Sequence, residues 1–318
     1  MTDATPNPEI TPTGTRIPLH HEGPLGSVEA EVATVAAALC ALTVGGAALV
    51  EPIPRGSTPP FGTGTVLSPW PNRVRDGRWE LDGQEQVLDL TERERGNALH
   101  GLLRHADYVV RERTASSVTL GALIAPQHGW PFLLDTWVSY ELVDDGLRVR
   151  HGVTNLADRS APYAIGTHPF LRVGDTPVEE LTLTAPAPRF VEVDERLNPV
   201  GVAPVAGTAR DLTGGSRVGD LDLDTAYAGV EHRDGASAWL TAPDGARTEL
   251  LQDPDWSYLQ VFTTDLYPDQ TDGHRRRAVA VEPMTAPPDA LNSGEGLVWL
   301  EPGSSWSGGW GLRYVPAG

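Results

Sequence analysis

Two short stretches each carry an ionisable side chain directly before a proline. Residues 163–170 read YAIGTHPF, and residues 278–289 read AVAVEPMTAPPD. Alternation along an extended chain puts Ala278, Ala280 and Glu282 on one face and Val279 and Val281 on the other. By the same period Ala164, Gly166 and His168 share a face. Each proline holds the residue before it extended, and Pro283 is expected to end regular pairing of its strand. An imidazole and a carboxylate are groups that exchange protons, and small side chains beneath them leave room for a ligand. Either stretch alone also describes a structural histidine or a strand-end carboxylate.

Three further segments combine turn formers with polar residues. LSPWPNRVRDG at 67–77 contains Arg73, GNALHGLLRHADY at 96–108 contains His100, and LDTAYAG at 223–229 contains Asp224. A site gathered from five such distant segments is what loops on a rigid β-scaffold provide. Other motifs fail. There is no phosphate-binding G-x-x-x-x-G-K-[ST] loop, no H-E-x-x-H and no G-x-S-x-G elbow. Asp220, Asp222, Asp224 and Glu231 fit calcium-loop spacing, but Thr225 stands where the sharp turn requires glycine. No metal ligand set is expected.

The elements that must position these residues read as strands. RWELDGQEQVLDL turns at Asp82-Gly83, DTWVSYELVDDGLRVRHGVTNL at Asp145-Gly146, and WLTAPDGARTELLQ at Asp244-Gly245. Trp137, Ser139 and Glu141 alternate with Val138, Tyr140 and Leu142, and no long segment has helical periodicity. The uncharged run 32–50 is Ala-rich, is bounded by Glu31 and Glu51 and has no basic flank. It is expected to be a buried hairpin turning at Gly45-Gly46 and not a membrane span. The expectation is an all-β, antiparallel sandwich in one domain, residues 16–318, after a flexible tail, residues 1–15.

Composition narrows the partners. Of 318 residues, 40% are hydrophobic and 21% charged, with a formal net charge of -19. That sign argues against nucleic acid and mildly against a strongly anionic substrate. The single cysteine, Cys40, lies in an apolar run and reads as a buried, inert thiol. The first residues lack a basic start followed by an apolar core, so no secretory leader is expected and a cytoplasmic location is.

Taken in order, W-P-N-R, N-x-x-H-G, G-W-P-F, H-P-F, D-x-A-Y and E-P-M-T-x-P-P-D-A resemble the aldose 1-epimerases, also called galactose mutarotases. The terminal LEPGSSWSGGWGLRY is similar to that family's last strands. The resemblance implies a large β-supersandwich with a monosaccharide site on the concave face of one sheet. It implies that Glu282 is the general base and His168 the general acid. His100 would help hold the sugar and its ring oxygen, and Arg73 and Asp224 would bind its hydroxyls. No cofactor is implied, and no choice among glucose, galactose and other aldoses. Trp70 and Phe262 are candidates to stack on the sugar; His105 and His128 are expected to be structural, and His274–Arg277 a solvated loop. A hexose-6-phosphate epimerase remains an alternative, with rim cations from Arg55, Arg75 or Arg275–Arg277. A non-catalytic carbohydrate-binding sandwich is another.

Overall fold

The computed structural model describes residues 11–269 and 274–318. Residues 1–10 of the expected tail, and 271–273 of the segment before Glu282, lie outside the described residues. The tail's last residues are held in place. Thr13 is buried and accepts a hydrogen bond from Arg16 Nε at 2.8 Å, and Thr15 N donates to Thr34 Oγ1.

Two large antiparallel sheets dominate. In one, nine strands are ordered 109–113, 117–124, 134–143, 146–155, 305–315, 247–252, 236–241, 182–184 and 216–217. In the other, seven strands are ordered 199–204, 189–193, 224–228, 258–268, 275–284, 166–167 and 66–67. Val279, Val281, Leu259, Val261 and Tyr227 from one face of the seven-stranded sheet share a single apolar core with Leu240, Leu250 and Leu312 of the nine-stranded sheet. A four-stranded sheet, residues 16–48, packs against strands 134–143 and 146–155 of the larger sheet. The architecture is the expected all-β supersandwich.

Local sequence explains the pairing. Strand Leu134–Val143 buries every second residue from Leu134 to Leu142, as its alternation requires. Asp82 and Gly83 both have positive φ, the conformation of a tight two-residue hairpin turn. The next turn is displaced by one residue: Val143 pairs with Gly146, so Asp144-Asp145 form the loop. A Cβ on Gly146 would lie 1.9 Å from the Leu312 carbonyl oxygen, so glycine is needed inside the strand. Gly45-Gly46 does turn between strands 39–44 and 47–48, but the apolar run is not one hairpin. It breaks at Ala36 and Ala37, which adopt positive φ between strands 26–33 and 39–44.

Two strand expectations need correction. Pro283 lies inside strand Arg275–Met284, paired with Leu259. Its missing N–H falls on the side of residues 165–169, where Val281 N and Thr285 N carry the bonds on either side of it. Arg275–Arg277 begin the same strand and are not a solvated loop. The reason is charge: fully buried Glu51 accepts hydrogen bonds from both terminal nitrogens of Arg276, and Arg172 lies 3.7 Å away. Cys40 is buried, and burial pushes its thiol up to about 12, as an inert side chain requires.

Candidate active site

The face of the seven-stranded sheet turned away from the main core carries the polar residues. Cross-strand pairing sets Ala226 opposite Gln260 and Gln260 opposite Glu282, with Asp224 opposite Phe262 and Phe262 opposite Ala280. Asp224, Gln260 and Glu282 therefore project together from three adjacent strands. The space over Ala278 and Ala280 is not a hollow: Phe170 and Tyr267 fill it. The small side chains make room for aromatic rings, and the ligand-sized space opens beside them. A cavity of about 590 Å³ is lined by Glu282, His168, His100, Arg73, Asp224 and Gln260, among others. That volume lies within the range of small-molecule sites.

The first five of these are the residues singled out by sequence, and the structure brings all five together. His168 Nε2 lies 3.5 Å from Glu282 Oε1, with both residues almost wholly buried. His168 is pinned at both ends of its backbone, by His168 N donating to Thr65 O and Gly64 N donating to His168 O. Its ring stacks on Phe170 at 5.4 Å. Among the described residues, His168 Nδ1 and Glu282 Oε2 are buried without a hydrogen-bond partner. His100 meets His168 edge-on at 5.5 Å. Asn72 N donates to His100 Nδ1 at 3.2 Å, so a neutral His100 ring carries its proton on Nε2.

The motifs serve this placement. Gly101 has positive φ, and a Cβ there would lie 2.2 Å from Ser68 O, which accounts for the glycine after His100. Thr285 Oγ1 accepts from Ile165 N and so ties the His168 segment to the end of the Glu282 strand. Asp289 takes hydrogen bonds on Oδ1 from Arg75 N and gives one from its own N to Arg73 O, fixing the Arg73 turn. In G-W-P-F, Trp130 packs on Trp70, Trp79 and Phe132 and is not part of the cavity lining.

Arg73 is held by a fork. Its Nε and Nη2 donate to Glu92 at 2.9 and 3.0 Å, and Nη2 also reaches Asp224 at 3.4 Å. Gln260 Nε2 donates to Asp224 at 2.5 Å, and Asn72 Nδ2 donates to Gln260 Oε1 at 3.1 Å. Glu92, Asn72 and Gln260 were not singled out from the sequence. Asn72 stood inside W-P-N-R, and Gln260 shares strand alternation with Phe262; Glu92 sits in an ordinary charged run, TERERG.

Electrostatics divides the pair. Burial, reinforced by Asp224 and opposed by Arg73, raises Glu282 well above the usual carboxylate range. Burial lowers His168 to about 4. Burial also lowers His100, and the positive fields of His168, Arg73 and Arg104 add to it. Burial works against the charge of Arg73, but its hydrogen bonds to Glu92 and the field of Asp224 outweigh that and raise it.

Other expectations shift. Trp70 is core, not a stacking platform, because Trp130 covers it. Phe262 lines the cavity, joined by Phe61, which is exposed and 6.0 Å from it. His105 also lines the cavity, whereas His128 is a surface residue 4.0 Å from Asp89. The proposed rim cations are engaged elsewhere: Arg55 with Glu31, Arg75 with Asp289, Arg275 with the Leu266 carbonyl, Arg276 with Glu51 and Arg277 with Asp265. No described helix is long and apolar enough to cross a membrane.

Comparison with known proteins agrees with the fold. The uncharacterized protein YihR of Escherichia coli K12 is 35% identical over 280 residues, 87% of each chain. The GalM/aldose epimerase homologue of C. elegans superposes with a TM-score of 0.82 at 18% identity, covering 96% of this chain and 100% of its own. A putative aldose 1-epimerase of Escherichia coli K12 gives 0.80 at 20% identity, covering 95% and 99%. These structural likenesses establish the fold. A profile described as aldose 1-epimerase matches residues 23–313, and with that match the chain belongs to the aldose 1-epimerase family.

Proposed function

We propose that this protein is a mutarotase, interconverting the α and β anomers of an aldose by acid–base opening and closure of the ring. One observation carries the reading: a buried carboxylate and a buried imidazole, Glu282 and His168, 3.5 Å apart at the wall of a sugar-sized cavity. The reaction removes a proton from the C1 hydroxyl and adds one to the ring oxygen. Rotation about C1–C2 then presents the other face of the aldehyde, and the transfers reverse.

Both reacting oxygens are bonded to C1, so an acid and a base 3.5 Å apart can serve both. A single proton shared by the couple suffices. In the cyclic complex Glu282 is a carboxylate and His168 an imidazolium. After ring opening Glu282 is protonated and His168 neutral. The burial that raises Glu282 and lowers His168 favours the second state, and the attraction between the two charges favours the first. His100 offers an Nε2–H donor toward the ring oxygen. The Arg73–Asp224–Gln260 network offers charged and neutral groups to ring hydroxyls, and Phe61 and Phe262 an apolar face.

Polarimetry of freshly dissolved α-glucose and α-galactose tests the reading. Enzyme added at micromolar concentration is expected to speed the approach to equilibrium well above the buffer rate. A rate equal to buffer across such sugars would favour a non-catalytic carbohydrate-binding sandwich. His168→Asn should lose more rate than sugar affinity. The hexose-6-phosphate alternative loses support because its rim cations are occupied elsewhere.

A further inference from the structure

Three guanidinium groups line the cavity: Arg73, Arg95 and Arg104. Two are matched by carboxylates. Arg73 is shared between Glu92 and Asp224, and Arg95 Nη1 donates to Glu92 at 3.0 Å. Arg104 is half-buried, and among the described residues it has neither a hydrogen bond nor an ion pair. Glu92 attracts it from a distance, but burial dominates and lowers its pKa. A guanidinium that has given up part of its hydration without gaining acceptors is costly. With the one proton shared by Glu282 and His168 counted, the three guanidiniums exceed the remaining carboxylates, Glu92 and Asp224, by one charge, against an overall charge of -19. An anionic group on the ligand would complete it with charge-assisted hydrogen bonds.

The position of Arg104 selects a part of the sugar. It follows His100 by four residues, and its field reaches the His100 ring. In the mutarotase reading His100 and His168, whose rings meet edge-on, face the ring oxygen. In an aldopyranose the ring oxygen is bonded to C1 and C5, so the substituent nearest that side, other than O1, is the exocyclic C6 group. The charge count selects the number of charges. One guanidinium is unmatched, and His105 beside it is exposed, its pKa lowered by partial burial and by the charge of Arg104. A second negative charge would have no partner.

Resting on the mutarotase reading, we propose that the preferred substrate is an aldose carrying one negative charge on C6, held by Arg104 at the wall of the cavity. This reverses, for the cavity, what the net charge suggests about anionic substrates for the protein as a whole.

The test uses the full chain and four sugars: glucose, glucuronate, glucose 6-sulfate and glucose 6-phosphate. Sulfate and phosphate have the same shape and differ in charge, and glucuronate presents a planar anion. Anomer exchange is followed by NMR and binding by calorimetry. At least one monoanion is expected to exceed glucose in kcat/KM about tenfold or more, and to exceed the 6-phosphate. Which monoanion leads identifies the anion's shape. Arg104→Gln should reduce the monoanion-to-glucose ratio about tenfold or more, Arg104→Lys should restore part of it, and added salt should shrink it.

Glucose equal to both monoanions, or a ratio unchanged in Arg104→Gln, would overturn the assignment. A preference for the phosphate would overturn the single charge. Exchange without monoanion preference fails this inference alone. Monoanion binding that depends on Arg104 without any exchange fails the mutarotase reading and leaves the anion site standing.

Discussion

Replacing His168 should change how stability responds to pH. In the folded protein burial holds this imidazole at about 4, against roughly 6.5 in an unfolded chain. Between these values the unfolded state binds more protons, so stability falls as pH drops from 6.5 toward 4. At pH 7.5 the group is neutral in both states and contributes almost nothing. At pH 5.5 the unfolded chain gains most of a proton that the folded protein refuses, at a cost of about 1.3 kcal/mol. His168→Asn removes that term. Urea denaturation of both proteins at pH 7.5 and 5.5 should therefore show the variant gaining about 1.3 kcal/mol relative to wild type on acidification. Glu282 titrates in both proteins and cancels to first order. A difference that does not change with pH would refute the reasoning: His168 would then have an ordinary pKa, with Glu282 holding it charged before any sugar binds.

The kinetic counterpart is a bell-shaped kcat/KM profile for mutarotation. The acid limb should fall near pH about 4, where the couple takes a second proton, and the alkaline limb well above the usual carboxylate range. An acid limb at the ordinary histidine value, roughly 6.5, would contradict it. Glu92→Gln removes the charge that forks Arg73, and sugar KM should rise about tenfold with a smaller change in kcat; an unchanged KM would show that Arg73 holds its place without Glu92. Glu51→Gln leaves Arg276 and Arg172 facing a neutral buried amide, and unfolding free energy should drop by about 3 kcal/mol; a loss near zero would mark that ion pair as dispensable.

How far the sequence could be read depends on the range of each interaction. Local alternation was enough to orient Glu282, and the Asp-Gly pair located the hairpin at Asp82-Gly83. The same alternation misled at Ala278 and Ala280, because a period of two does not reveal what packs above a face; the answer, Phe170 and Tyr267, comes from other segments. Glu92 lies 19 residues from Arg73, and Gln260 lies 188 from Asn72. Such partners carry no local pattern and look like ordinary surface polars. Arg276 was misread for the same reason, since its partner Glu51 is 225 residues away. Ordered motifs did better than single residues because Thr285, Asp289 and Gly101 fix backbone, and backbone constraints demand particular residue types.

Polarimetric comparison of wild type with Glu282→Gln tests the central claim most directly. The amide keeps the shape of a fully buried side chain and removes its capacity to accept a proton from the C1 hydroxyl. Loss of the base is expected to lower mutarotation by about 10²–10⁴-fold, with sugar binding and cooperative unfolding retained. A variant that restores the equilibrium rotation as fast as wild type would contradict the account.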